Sequence, residues 1–153
     1  MYACELEHLF SYSATLQAPA ELIGPVAEGY RANFYVTGGR IEGPRLKGRV
    51  RPVGADFFLL RPDSMGELQV RATFEADDGA LIDVAYTGLT DFGADGYAKV
   101  LRGEWPRKVA LRTQPRLRSA HPDYQWLQRR LCLAVGEADL ERYVVGYDVY
   151  AVR

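Results

Sequence analysis

A two-residue hydrophobic period, recurring almost from end to end, is the feature that most narrows what this chain can fold into. In LEHLFSYSATL (Leu6–Leu16), Leu6, His8, Phe10, Tyr12, Ala14 and Leu16 share one face and mostly polar residues the other. Successive strand side chains point to opposite sides, so this alternation describes a strand with one face buried. The same pattern predicts strands over Tyr30–Thr37, Leu46–Arg51, Asp56–Arg61, Glu67–Ala76, Ala80–Leu89, Val109–Thr113, Arg129–Val135 and Tyr143–Val152. Gly and Pro punctuate these runs at short intervals, as turns require. Helix is confined to two short candidates, Ala94–Trp105, with Asp95 as cap and Gly103 and Pro106 as stop, and one turn over His121–Gln128.

About nine short antiparallel strands leave edges that invite aggregation, and closure into a barrel removes them most completely. The expected fold is therefore all-β: a closed antiparallel barrel of about eight to ten strands with one or two short helices. Asp78-Gly79 suits the two positive-φ positions of a type I′ turn. Such a turn would set Glu75 opposite Ile82, Thr73 opposite Val84 and Arg71 opposite Tyr86. Gln69, Arg71, Thr73, Glu75 and Tyr86 would then share a polar face, and Leu68, Val70, Phe74 and Leu81 an apolar one. Either face can line the lumen, because parity alone does not choose between them.

At 153 residues the chain makes one domain, residues 1–153, with room for a single core. A net charge of −1 supplies no global field for nucleic acid or an anionic bilayer, so neither is expected as a partner. The start, MYACELEHLF, lacks a signal peptide's basic region and apolar run, and no stretch approaches a membrane span, so the expected location is the cytoplasm. Cys4 and Cys132 form no CxxC pattern and read as small hydrophobes. With His8 and His121 as the only histidines, a metal site is not expected, and no cofactor motif is present.

The stretch most suggestive of chemistry is GGRIEGPRLKGRVRPVGAD, Gly38 to Asp56. Gly43 and Gly48 have Walker spacing but are followed by Arg49 and Val50, and no helix follows to offer its amide dipoles to a phosphate. Gly38-Gly39 is expected to be a hairpin turn, with Gly54 at a corner or bulge, delivering Asp56 to the start of a strand. His8, on the apolar face of the first strand, becomes a candidate general base if the interior is wet. No serine sits in G-x-S-x-G, and Asp77-Asp78 reads as turn chemistry. Ten tyrosines suit a pocket for an aromatic molecule, although Tyr is also simply a good strand residue. ALRTQPRLRS (Ala110–Ser119) reads as a basic loop in which an inward Arg112 can pair with an acidic ligand.

Three stretches, GGRIEGPRLKGRVRPVGADFFLLRPD, LQVRATFEADDGALIDVAYTGL and LRTQPRLRSAHPDYQWLQRRLCLAVG, resemble in order and spacing the domain-of-unknown-function family numbered 3237. The resemblance implies a lipocalin- or allene-oxide-cyclase-like barrel and little about activity. Its pattern maps onto Asp56, Arg61, Arg71, Thr73, Asp77, Asp78, Gly79, Arg112, Thr113, Tyr124 and Trp126. This chain departs from it with Gln69 for the usual Asp, Ser64 and Val53 for Gly, Phe57 for Trp and Gln128 for Asn. The expected function is binding of a small aromatic or polyketide-like, acidic metabolite in the lumen, with cofactor-free isomerase, cyclase or lyase chemistry as one outcome. A ligand carrier or sensor is the alternative, as is an oligomerisation module, a homo-oligomer with a filled lumen. In the ligand-binding readings Arg61, Arg71 and Arg112 hold the anionic end, Phe58, Tyr86 and Trp126 wall it with Thr73 and Tyr124 nearby, and Asp56 or His8 transfers the proton.

Overall fold

The computed structural model describes residues 1–153. Its strands are β1 (Leu6–Leu16), β2 (Glu21–Val26), β3 (Gly29–Glu42), β4 (Gly48–Leu60), β5 (Met65–Ala76), β6 (Leu81–Asp91), β7 (Lys108–Arg118), β8 (Cys132–Asp139) and β9 (Val144–Val152). A short helix α1 (Gly96–Leu101) joins β6 to β7, and a 3₁₀ helix (Pro122–Arg129) joins β7 to β8. All pairings are antiparallel, in the order β1-β9-β8-β7-β6-β5-β4-β3-β2, and a further β1–β3 ladder closes the ring. Eight strands form the barrel, and β2, paired with β3 alone, lies outside it.

Closure depends on β3 changing partners. Its first half pairs with β2 through Ala32 and Asn33, and its second half with β1 from Val36 to Glu42. Gly38-Gly39 is therefore the bend inside a long strand and not a hairpin turn. A Cβ on Gly39 would lie 2.1 Å from the Ser13 carbonyl oxygen, so only glycine lets β1 approach this closely.

Two other irregularities interrupt the strand ladders. In β1 the ladder with β9 skips from His8 to Phe10, a bulge that places both Leu9 and Phe10 in the core. Inside–outside parity reverses there, so Phe10, Tyr12, Ala14 and Leu16 turn inward while Leu6 and His8 face out. In β4 the register slips between Val50 and Gly54, and Gly54 takes φ +95°. The two strands expected over Leu46–Arg51 and Asp56–Arg61 are thus one strand bent at a glycine.

The β5–β6 hairpin also differs from expectation by one residue. Glu75 pairs with Leu81, Arg71 with Ala85 and Val70 with Tyr86. The loop has three residues, closed by Ala76 N–H to the Ala80 carbonyl, with Gly79 at φ +89°. A one-residue slip exchanges faces, so Tyr86 joins Val70 inside while Arg71 and Thr73 stay outside. The expected basic loop is nearly the whole of β7, which alternates strictly and sends Arg112, Arg116 and Arg118 outward.

The core is one cluster of 31 buried residues. One end of the barrel is filled by Phe10 and Phe74, edge to face at 6.1 Å, and by Leu127 of the 3₁₀ helix. At the other end Leu16, Val36, Phe92, Leu140 and Val145 are only partly buried and surround an opening. No helix is long and apolar enough to cross a membrane.

The closure account predicts a contrast between two glycines. Gly39→Ala should cost about 3 kcal/mol, because its methyl meets backbone on the neighbouring strand. Gly79→Ala, with nothing within 4 Å of the added methyl, should cost only about 1 kcal/mol, from the positive φ. Urea denaturation of both variants checks this, and equal losses would contradict it.

Candidate functional site in the barrel lumen

The inward faces of the strands enclose a lumen lined by 21 residues, of which 19 are hydrophobic; the other two are Asp56 and Thr90. About 60 Å³ of this space is open to the centre of a water molecule. The lining contains no arginine, lysine, histidine, serine or cysteine.

Asp56 reaches this interior by strand parity: it lies an even number of residues from Val50, which also lines the lumen, and the slip at Gly54 leaves that parity unchanged. It pairs with Phe34 of β3 and Val70 of β5, and Val70 in turn pairs with Tyr86 of β6. Phe34, Asp56, Val70 and Tyr86 thus form one inward row across four strands. The Asp56 carboxyl is half-buried, facing the lumen, and its Oδ1 accepts the Gln69 backbone N–H at 2.9 Å. Taking a carboxylate out of water disfavours its charged form, and here no cation offsets the cost. Burial raises the pKa from 3.8 to about 7, against the opposing pull of the Gln69 N–H.

Three tyrosines gather beside it. Tyr12 donates its hydroxyl hydrogen to the Tyr86 oxygen at 3.1 Å. The Tyr12 ring stacks on Tyr147 at 5.1 Å, and Tyr147 meets Tyr86 edge-on at 5.7 Å. Burial pushes the Tyr86 phenol up to about 12, while hydrogen bonds from Tyr12 and Tyr147 oppose the rise. Tyr12 and Tyr147 are likewise pushed well above the ordinary phenol range, first by burial and then by Tyr86. Thr90 lines the lumen too, and its Oγ1 has no hydrogen-bond partner.

Of the residues singled out in the sequence, Asp56, Phe58 and Tyr86 line the lumen. His8 does not: the β1 bulge turns it outward, where its Nε2 lies 3.0 Å from Ser11 Oγ and its ring packs on Tyr150. Arg61 pairs with Asp63 and Glu67 at the β4–β5 turn, and Arg71 pairs with Asp83 outside. Arg112 is exposed and donates to the Leu111 carbonyl at 2.8 Å. Thr73 faces outward opposite Asp83. Tyr124 donates to Asp78 Oδ2 at 3.0 Å, and Trp126 carries the Arg45 guanidinium 4.2 Å above its ring, both at the filled end. The expected arginine clamp is therefore absent from the lumen: strand parity places Arg71 and Arg112 on the outer face, and Arg61 lies in the β4–β5 turn.

Asp78, His121 and Asp123 come together on the outside near this end, but local structure uses them. Asp78 accepts Ala80 N–H and the Tyr124 hydroxyl, and His121 Nδ1 accepts Asp123 N–H to cap the 3₁₀ helix.

Tyr12 and Tyr147 belong to the ten tyrosines that suit a pocket, but the sequence does not single them out as members of the site. Each stands in a run of alternating apolar residues, which reads equally as packing; only closure brings their strands opposite β6. The departures from the family pattern also find reasons. Gln69 faces outward and serves Asp56 through its backbone, so the carboxylate missing there is not missing from the lumen. Ser64, where glycine is usual, holds φ +70° and accepts the Tyr97 N–H at 3.0 Å through its hydroxyl.

A closed antiparallel barrel with an apolar, one-carboxyl lumen is the class that this geometry defines. Residues 4–152 match the family described as "Protein of unknown function (DUF3237)", and the chain belongs to that family. A UPF0311 protein of Rhodopseudomonas palustris is 33% identical over 150 residues, covering 97% of this chain and 96% of its own. Among solved structures, a conserved protein of unknown function from the same organism superposes with a TM-score of 0.86 at 29% identity, covering 100% of both chains. A β-barrel-like protein of Acinetobacter baumannii gives 0.84 at 28%, covering 100% of this chain and 98% of its own. A protein of Penicillium herquei described as an enzyme gives 0.68 at 22% identity, with 100% and 97% covered, a likeness of fold alone.

A testable consequence concerns stability against pH. Asp56 has a higher pKa folded than unfolded, so the folded protein binds the extra proton between about pH 4 and pH 7. Stability from the neutral carboxyl is full below pH 4 and is lost as pH rises through 7. Wild type should lose about 2–4 kcal/mol over that interval beyond what Asp56→Asn loses, and the variant should melt higher at pH 8. Parallel melting curves for the two proteins from pH 4 to 8 would contradict this.

Proposed function

We propose that the lumen is the active site of a cofactor-free, non-redox enzyme, an isomerase, cyclase or lyase, in which Asp56 moves a proton on a small apolar or aromatic molecule. The observation that carries this reading is the solitary carboxyl in an apolar chamber, poised near neutrality. A group that titrates near the working pH is populated in both forms and serves as base and acid in turn. Structural carboxylates elsewhere in the chain are paired with arginines and held below the usual range, as Glu7 and Glu75 are. Asp56 has no such partner and gains nothing for stability from its position.

The geometry shifts the ligand class away from the acidic metabolite that the sequence suggests. A carboxylate in this lumen would be a second buried anion without a cation, costing several kcal/mol. A neutral molecule meets no such penalty. The carrier reading shares the lumen but gives no role to a half-titrated carboxyl.

Incubation of wild type and Asp56→Asn with a neutral apolar metabolite extract, followed by mass spectrometry, tests the proposal. Wild type should deplete one neutral species and produce an isomer of equal mass or its fragments. Asp56→Asn should bind the same species and return it unchanged. A species that both proteins bind and release unchanged would identify a carrier and overturn the proposal.

A further inference from the structure

Resting on the reading of Asp56 as a proton-transfer group, we infer that the lumen is built to enolise a neutral carbonyl compound, with Tyr86 as the hydrogen-bond donor to the carbonyl oxygen. The donor and the base are each left with one free valence. Asp56 accepts only the Gln69 N–H, on Oδ1, so Oδ2 has no protein partner. The Tyr86 oxygen accepts from Tyr12, and its own hydrogen has no protein acceptor. Both side chains enter the lumen from one row, two strands apart, which sets their Cα atoms about 10 Å apart. In this reading the carbonyl carbon and its neighbour lie between the carboxyl and the phenol, both of which line the lumen.

The tyrosine cluster gives Tyr86 its strength as a donor. A hydroxyl that accepts hydrogen bonds donates its own hydrogen more strongly, because chained hydrogen bonds polarise one another in a medium of low dielectric. Tyr12 donates to the Tyr86 oxygen and Tyr147 packs against both rings, and neither has a lumen function of its own on this account: they are positioning residues. A preorganised donor aimed at an oxygen that gains charge stabilises the transition state more than the ground state. The reaction needs no serine, cysteine or lysine nucleophile, and none of these lines the lumen.

The step balances within the pocket. Asp56 Oδ2 takes a proton from the carbon next to the carbonyl; the C–H electron pair becomes the enolate C=C bond, and the carbonyl π pair moves onto oxygen, held by Tyr86 O–H. The protonated Asp56 then returns its proton to the same carbon or, across a conjugated system, to the γ-carbon. The second route moves a double bond, with nothing oxidised or reduced.

Cyclohex-3-enone is the probe for turnover and 4-nitrophenol, whose phenolate resembles the enolate and absorbs on ionising, the probe for the oxygen site. In D2O at pH 7.5, wild type should exchange the ketone's α-protons faster than an equal concentration of acetate, followed by proton NMR. Asp56→Asn should lose this at least about 100-fold and still bind 4-nitrophenol with a phenolate spectrum. Tyr86→Phe, checked for an unchanged fold by circular dichroism, should lose roughly 10- to 100-fold in exchange and about 10-fold in 4-nitrophenol affinity. Tyr12→Phe should show a smaller loss of the same kind. If Asp56→Asn stops exchange while Tyr86→Phe alters neither reading, the enolate account fails and Asp56 proton transfer stands. Absence of exchange by wild type, or of 4-nitrophenol binding, overturns the inference as well.

Discussion

The backbone contact between β1 and β3 is the constraint on which the rest of the molecule depends. Where Gly39 passes Ser13, the strands lie too close for any side chain, and that approach converts an open nine-stranded sheet into a ring of eight. A ring has an inside, and the inside excludes bulk water. Every electrostatic property of the site follows from that exclusion: a carboxyl in an apolar chamber and three phenols sharing hydrogen bonds would behave ordinarily on an open sheet.

Bulges divide labour between the two faces. A perfect period of two would place His8 inside with Phe10, and it does place Asp56 on the lumen face with Val50. The bulge at Leu9 ejects His8, whereas the slip at Gly54 leaves Asp56 on Val50's face. The strand arginines follow parity to the outer surface, where several pair with acidic neighbours as Arg71 and Arg118 do with Asp83. The lumen thus contains one acid and no counter-ion, an arrangement that packing alone gives no reason to build.

How much was legible beforehand follows from the same irregularities. Strand alternation, the scarcity of helix and the need to remove edges were enough for the closed barrel, because these depend on local pattern. Asp56 stands out by its place at the end of the glycine-rich stretch, although that stretch is parts of two bent strands, β3 and β4, joined by a single loop, and not a series of turns. Tyr86 was named but assigned to the polar face, since Asp78-Gly79 suggested a two-residue loop where a three-residue loop forms. One residue of register moved it from Arg71's side to Val70's. The arginine clamp is absent because Arg71 and Arg112 stand on the outer faces of regularly alternating strands, and a period of two alone does not say which face lines the lumen. The convergence of Tyr12, Tyr86 and Tyr147 joins strands far apart in the chain, and closure alone reveals it.

The central claim is that the interior holds Asp56 as an acid and base at neutral pH. Carbon-13 NMR of the protein labelled at the aspartate side-chain carboxyls, with Asp56 assigned by its loss in Asp56→Asn, measures this directly. A resonance that titrates near pH 7, well apart from those of the arginine-paired aspartates, is the predicted result. A midpoint near 4 would mean that water reaches the carboxylate freely, and the account of the lumen as an acid–base site would be wrong.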